Sequence, residues 1–189
     1  EFSAKDLHYL SLLEKGMDTS GALAVLDVGC GKGKFMEYLK KKYPEWKITG
    51  IDPSFSGGEG ILAGSVYSIP VPDSSTDAAL LIEVMQHVDD LGKSMSELSR
   101  VMKKGGSLII ADRDPASLIG ALKPLMETAG LWMYPWDSPF QERWRSVRQW
   151  RRIFGEDWHV TFARSFDSPD NRIPMSNRFY LLIARKEGS

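Results

Sequence analysis

The chain has 189 residues, 42% apolar and 26% charged, which suits one ordinary hydrophobic core and excludes a disordered or collagen-like chain. Its longest uninterrupted apolar run, Phe179 to Ala184, has six residues against the roughly 20 of a membrane-spanning helix, and 24 basic against 25 acidic side chains leave a formal charge of -1, too balanced for whole-surface attraction to nucleic acid or acidic lipid. A single cysteine, Cys30, excludes an internal disulfide and a multi-cysteine zinc site and points to a reducing, cytoplasmic setting.

The start, Glu1-Phe2-Ser3, has neither an initiator methionine nor a charged-then-apolar signal pattern and reads as a processing boundary. Leu7, Leu10 and Leu13, with Leu12, keep helical spacing as far as Gly16, predicting a leading helix within residues 1–20. Ala22 to Leu26 is a continuous apolar run that ends in Asp27 and a glycine loop, as in a strand buried on both faces. Phe35, Leu39 and Tyr43 then recur at i, i+4 and i+8 with Lys40, Lys41 and Lys42 outward, a helix that Pro44 stops. Trp46 to Ile51, Ile61 to Ala63 and Asp77 to Ile82 read as strands. Asp89 or Asp90 caps a helix that turns Leu91, Met95, Leu98 and Met102 inward and closes at Lys103-Lys104-Gly105-Gly106. Leu108 to Ala111 is the next strand. Helices are expected near Leu118 to Thr128 and over Gln141 to Phe154, and two late strands at Trp158 to Phe166 and Arg178 to Arg185. Such alternation predicts an α/β fold, a doubly wound and mostly parallel sheet in one domain over 1–189, with ligands at the carboxyl ends of the strands. Residues 22–112 form its cofactor half and 113–189 its acceptor half.

The chemical signal is concentrated in Asp27-Val28-Gly29-Cys30-Gly31-Lys32-Gly33, which follows a strand, opens a helix and is trailed nineteen residues after Gly33 by Asp52 at the end of the next strand. Glycine lets the backbone turn tightly and lets a ligand approach it, and a carboxylate accepts hydrogen bonds from ribose hydroxyls. This is a nucleoside-binding layout. Dinucleotide binders carry G-x-G-x-x-G, and phosphate-cradling loops end in Gly-Lys-Ser/Thr; the loop here is G-x-G-x-G followed by Lys34 and Phe35, matching neither.

An acid followed by G-x-G-x-G resembles the first motif of the class I S-adenosylmethionine-dependent methyltransferases. The likeness continues through Gly50-Ile51-Asp52-Pro53-Ser54, through Asp73 to Leu81, through Glu83-Val84-Met85-Gln86-His87-Val88 and through Leu98 to Asp112. Glu83 and His87 in a Glu-x-x-x-His segment are similar to the branch that holds ubiquinone, menaquinone and many small-molecule methyltransferases. The resemblance implies a Rossmann-like sheet of about seven strands with an antiparallel last strand. It implies S-adenosyl-L-methionine as cofactor, bound by Asp27, Gly29, Cys30, Gly31, Gly33, Asp52, Pro53, Ser65, Val66 and Glu83. Gly64-Ser65-Val66-Tyr67 stands where the family often places an acid for the adenine amino group, so Ser65 or backbone groups take that contact here.

Methyl transfer from a sulfonium is an in-line displacement that asks for positioning, desolvation and sometimes removal of a proton. His87 is the candidate base, since an imidazole titrates near neutrality and this one lies just past a strand's carboxyl end. Glu83 reads as a wall of the cofactor pocket. Glu83, His87, Asp112 and Asp114 do not meet a metal-ligand spacing, so no metal is expected. The acceptor pocket is assigned to Asp112, Arg113, Trp132, Tyr134, Trp136 and Phe140 together with His87. Arg143, Arg145, Arg148, Arg151 and Arg152 are read as the solvated face of an amphipathic helix whose Trp144, Val147, Trp150 and Phe154 pack on the sheet. The resulting expectation is a cytoplasmic methyltransferase acting on a small organic acceptor at oxygen, nitrogen or carbon, without nucleic acid or a membrane span. The alternatives are an RNA or protein methyltransferase using the arginine helix, and a non-catalytic nucleoside-binding subunit.

Overall fold

A computed structural model describes residues 2–54, 58–117, 143–169 and 178–187, together with Leu122 and Leu125. The leading helix α1 runs Ala4–Gly16 and opens with a capping box in which Ser3 and Asp6 satisfy each other's backbone N–H groups. It is followed by β1 (Ala24–Val28), α2 (Lys34–Lys42), β2 (Lys47–Asp52), β3 (Ile61–Ala63) and β4 (Thr76–Ile82). A single 3-10 turn, Met85–His87, leads into α3 (Leu91–Val101), which Asp90 caps by accepting from Lys93 N–H. Among the described residues β5 (Met102–Arg113), α4 (Val147–Phe154), β6 (Trp158–Asp167) and β7 (Arg178–Lys186) follow.

The strands form one seven-stranded sheet in the order β3-β2-β1-β4-β5-β7-β6. β1 to β5 pair in parallel, and β7 inserts antiparallel between β5 and β6. After β1 the chain steps outward to β2 and β3, then returns to place β4 on β1's other side. The crevice at the carboxyl ends of β1, β2 and β4 is therefore the switch point of the sheet.

Alternate residues of each central strand feed two cores. Leu26, Val28, Ala79, Leu81, Leu108, Ile110 and Leu182 pack with Leu98 and Val101 of α3 and with Trp150 and Phe154 of α4. Val25, Ile48, Leu80, Ile109 and Ile183 face Tyr9 and Leu13 of α1 and Met36 and Leu39 of α2. With both faces covered, the central strands read as unbroken apolar runs, which is why they were legible.

Two boundaries differ from the sequence reading. The helix expected over Gln141 to Phe154 begins at Val147, because Ser146 and Gln149 form a capping box that starts it there. The strand expected at Leu108 begins at Met102, which pairs with Thr76, while Gly105 bends the strand with a φ of +74°. Met102 is buried as expected, as a strand residue rather than a helical one. Of the segment Leu118 to Thr128, Leu122 and Leu125 are helical and exposed; its other residues lie outside the described ones.

Candidate functional site

The glycine loop sits at the switch point. Gly29 and Cys30 N–H both donate to Ile51 O, tying the end of β1 to the end of β2. Gly29 and Gly31 have φ values of +75° and +54°, a conformation that side chains resist. At Gly29 an added Cβ would meet Val84 Cγ2 at 2.5 Å, so there the requirement is packing as well as backbone. At Gly31 it would meet nothing within 4 Å, so that glycine borders open space and not a packed neighbour. Gly33 is the N-cap of α2 and supplies no side-chain cap; in the helix's first turn Met36 N–H donates instead to the Asp27 carboxyl at the end of β1.

Asp52 braces this loop from β2. Its Oδ2 accepts from Gly31 N–H at 2.8 Å and its Oδ1 from Ser54 N–H at 2.9 Å. The two halves of the nucleoside layout are thus in direct contact. Asp27 is 3% exposed, and burial pushes its carboxyl up to about 7, with Asp52 adding to the rise. Its Oδ2 has no hydrogen-bond partner among the described residues. A buried carboxylate oxygen beside an open glycine loop fits a ligand that brings a donor, such as an amino-acid ammonium group. The Cys30 thiol is pushed up to about 11 by burial, with Asp27 and Asp52 contributing, so it stays neutral and is no nucleophile.

On the other side of the crevice stand Glu83, His87 and Asp112. Glu83 holds a φ of +59°, donates its N–H to Ala111 O at 2.7 Å and pairs through its carboxylate with Lys5 of α1. His87 is exposed at the end of the 3-10 turn. Its Nε2 lies 3.2 Å from the amide nitrogen of Gln86; that amide can only donate, so the contact corresponds to the Nδ1–H tautomer. Asp112 is 2% exposed, and burial holds its carboxyl well above the ordinary range, reinforced by Glu83. It accepts from the backbone N–H groups of Gln86 and Met85, while its Oδ1 has no partner among the described residues. Arg113 lies over the rings of Phe179 and Trp144 at 5.4 and 5.7 Å.

Of the expected site residues, the structure gathers the glycine loop and Asp52 in one contact and aligns Glu83, His87 and Asp112 at neighbouring strand ends. Pro53 is exposed beside Asp52. Ser65 and Ser68 form a bridge, and Ser65 Oγ accepts from Tyr67 N–H, with Val66 buried. Trp132, Tyr134, Trp136 and Phe140 lie outside the described residues. Among the arginines, Arg148, Arg151 and Arg152 are exposed as expected, whereas Arg145 is half-buried and bonded to the loop after β4. Sequence reading passed over Lys5 and Tyr9 of α1. Tyr9 Oη is buried without a partner among the described residues and lies close enough to feel the Glu83 and Asp112 carboxylates. Nothing in the helical spacing of α1 marks Tyr9 as other than core. Among the described residues no group of three or more His, Cys, Asp or Glu side chains could hold a metal, and no helix is long and apolar enough to cross a membrane.

Residues 26–110 match the family described as a methyltransferase domain. An O-methyltransferase of Aspergillus sclerotiorum is 32% identical over 111 residues, covering 51% of this chain and 42% of its own length. A fatty-acid O-methyltransferase of Mycolicibacterium smegmatis is 28% identical over 102 residues, covering 48% of this chain and 37% of its own. Across such curated relatives the chain spans between 36% and 55% of their length. In three dimensions, a Thermotoga maritima structure described as an S-adenosylmethionine-dependent methyltransferase and possible histamine N-methyltransferase superposes with a TM-score of 0.68. It shares 22% identity, over 96% of this chain and 89% of the other.

Proposed function

We propose that the chain is a class I S-adenosylmethionine-dependent methyltransferase, a reading supported by the match of residues 26–110 to a methyltransferase domain and by relatives named O-methyltransferases, and that it transfers a methyl group to oxygen, nitrogen or carbon of a small organic acceptor. The observation that carries the reading is the loop Gly29–Gly33, open at Gly31 and held by the Asp52 carboxylate. When bound, S-adenosylmethionine would supply an electrophilic methyl on a sulfonium, which the acceptor attacks in line as the carbon–sulfur bond breaks and the neutral thioether leaves. Asp52 orients the ribose end with the lone pairs its two backbone bonds leave over. Asp27 offers its unpartnered Oδ2 to the amino-acid end. Glu83, fixed by its backbone bond to Ala111 and by Lys5, walls the pocket between the two substrates.

His87 takes the acceptor's proton where one must leave. Its neutral imidazole bears an acceptor nitrogen, Nε2, that exchanges its contact with Gln86 for the acceptor's O–H or N–H. The relatives named O-methyltransferases support a small acceptor. So does the engagement of Arg143 and Arg145 with the loop after β4, which removes two of the five arginines from any RNA-binding face. The test is calorimetry with S-adenosylhomocysteine, followed by a panel of small carboxylic acids, phenols and amines offered with methyl-labelled S-adenosylmethionine. Micromolar binding and label transfer to one chemical class are expected; binding of a nicotinamide dinucleotide instead, or binding without transfer to any class or to a protein or RNA fraction, overturns it.

A further inference from the structure

The 3-10 turn that carries His87 is three residues long, and its own bonds are His87 N–H to Val84 O at 2.9 Å and Val88 N–H to Met85 O at 3.3 Å. A turn of that length with such bonds does not fix a side chain by itself. It is gripped from outside at both ends. At its N-terminal end, Asp112 of β5 accepts from the N–H groups of Met85 and Gln86. At its C-terminal end, Arg145 donates from Nη1 to Met85 O at 2.6 Å and from Nη2 to Val88 O at 3.3 Å. Arg143 N–H completes the hold by donating to Gln86 O at 2.7 Å.

Arg145 does more than fill space. A guanidinium is planar, so two of its nitrogens bonded to two carbonyls set the orientation of the turn as well as its position. The charge is taken out of water to do this, and burial lowers the Arg145 pKa. A backbone-capping arginine of this kind is justified where the capped segment must hold one geometry. We infer that Arg145 is a positioning residue for methyl transfer: with Asp112 at the opposite end, it fixes the Met85–His87 turn so that the His87 imidazole stands where the acceptor's proton leaves. The inference rests on the reading of His87 as the base. It gives Asp112 a role through the turn, by its bonds to Met85 and Gln86.

The test uses Arg145→Ala and Arg145→Lys in the full chain. Amide hydrogen exchange is followed at His87 and Val88 of the turn and at Ile110 and Leu182 of the sheet. In Arg145→Ala the turn amides should exchange about tenfold faster or more with the sheet amides unchanged, and Arg145→Lys, which lacks the two-pronged fork, should fall between. S-adenosylhomocysteine affinity should stay within about twofold, while turnover of the labelled acceptor class drops by about tenfold or more with its KM little changed. Unchanged exchange at the turn, or an equal rise through the sheet, overturns the inference, and so does a loosened turn with full turnover. If the wild-type chain binds no S-adenosylhomocysteine, the methyltransferase reading fails instead, and the exchange data still decide whether Arg145 holds the turn.

Discussion

Replacing Asp52 by Ala removes two things at once. The first is the ribose contact proposed for its free lone pairs, a charge-assisted hydrogen bond worth about 1.5–3 kcal/mol. The second is the brace on the loop, because Gly31 N–H loses its acceptor at 2.8 Å and Ser54 N–H its acceptor at 2.9 Å. Gly31 is exposed, so water replaces the lost partner in the free protein and the folded state loses only about 1 kcal/mol. The loop must then be ordered again on binding. The combined loss in affinity is about 2–4 kcal/mol, or roughly thirtyfold to a thousandfold. Asp52→Asn, which keeps an acceptor oxygen without the charge, should lose about tenfold. Titration calorimetry with S-adenosylhomocysteine reads both, and a thermal melt shifted by only about 2–4 °C confirms that the fold survives. An Ala variant that binds within about threefold of wild type, with the melt unmoved, would refute the placement of the ribose at Asp52 and with it the use of the loop as a cradle.

The other expectations come from single contacts. Gly31→Val should leave the chain folded and abolish S-adenosylhomocysteine binding, because no atom lies within 4 Å of the added Cβ and a φ of +54° strains the residue while its side chain projects into the cleft; normal binding would make the loop a mere turn. Since the Asp27 carboxyl is pushed up to about 7, a ligand ammonium that needs its carboxylate should bind more tightly as pH rises, by up to about tenfold per unit until about pH 7, and level off above. Asp27→Asn should flatten that profile. The sign for stability is opposite: the unfolded carboxyl loses its proton near its ordinary value of 3.8 and the folded one only near 7, so this group lowers stability as pH climbs between them, and a urea series in wild type and Asp27→Asn should show it. Tyr180→Phe removes the acceptor of Trp150 Nε1–H, a 2.6 Å bond between two fully buried side chains. The stranded donor should cost about 1–3 kcal/mol, seen as a lower melting temperature with cofactor affinity intact; an unchanged melt would show that Trp150 finds another partner.

Much of this molecule was legible because its signals are local. A strand buried on both faces carries a run of apolar residues, and Ala24–Val28, Thr76–Ile82 and Arg178–Lys186 contain the runs 24–26, 78–82 and 179–184. A helix is a spacing, and Phe35, Leu39 and Tyr43 supplied it. The loop before it declares itself by glycine, since at Gly29 and Gly31 a positive φ is needed. The errors were local too: spacing continued plausibly from Gln141 to Val147, and only the reciprocal bonds of Ser146 and Gln149 begin the helix later. The signature of that capping box is present in the sequence as Ser-x-x-Gln, so this start could have been found.

The sequence by itself determined the alternation of strands and helices, the glycine loop with its acid nineteen residues on, and the family resemblance those carry. Each is written in residues close together along the chain, where backbone dihedrals and hydrophobic period act. Only the tertiary structure decided that Asp52 holds Gly31, that Lys5 of the leading helix pairs with Glu83, and that Arg145 closes over the carbonyls of Met85 and Val88 some sixty residues away. These contacts join groups whose separation along the chain has no period and no spacing. They exist because parallel strands bring their carboxyl ends to one edge of the sheet, where charges and unpaired backbone groups from distant segments must satisfy one another.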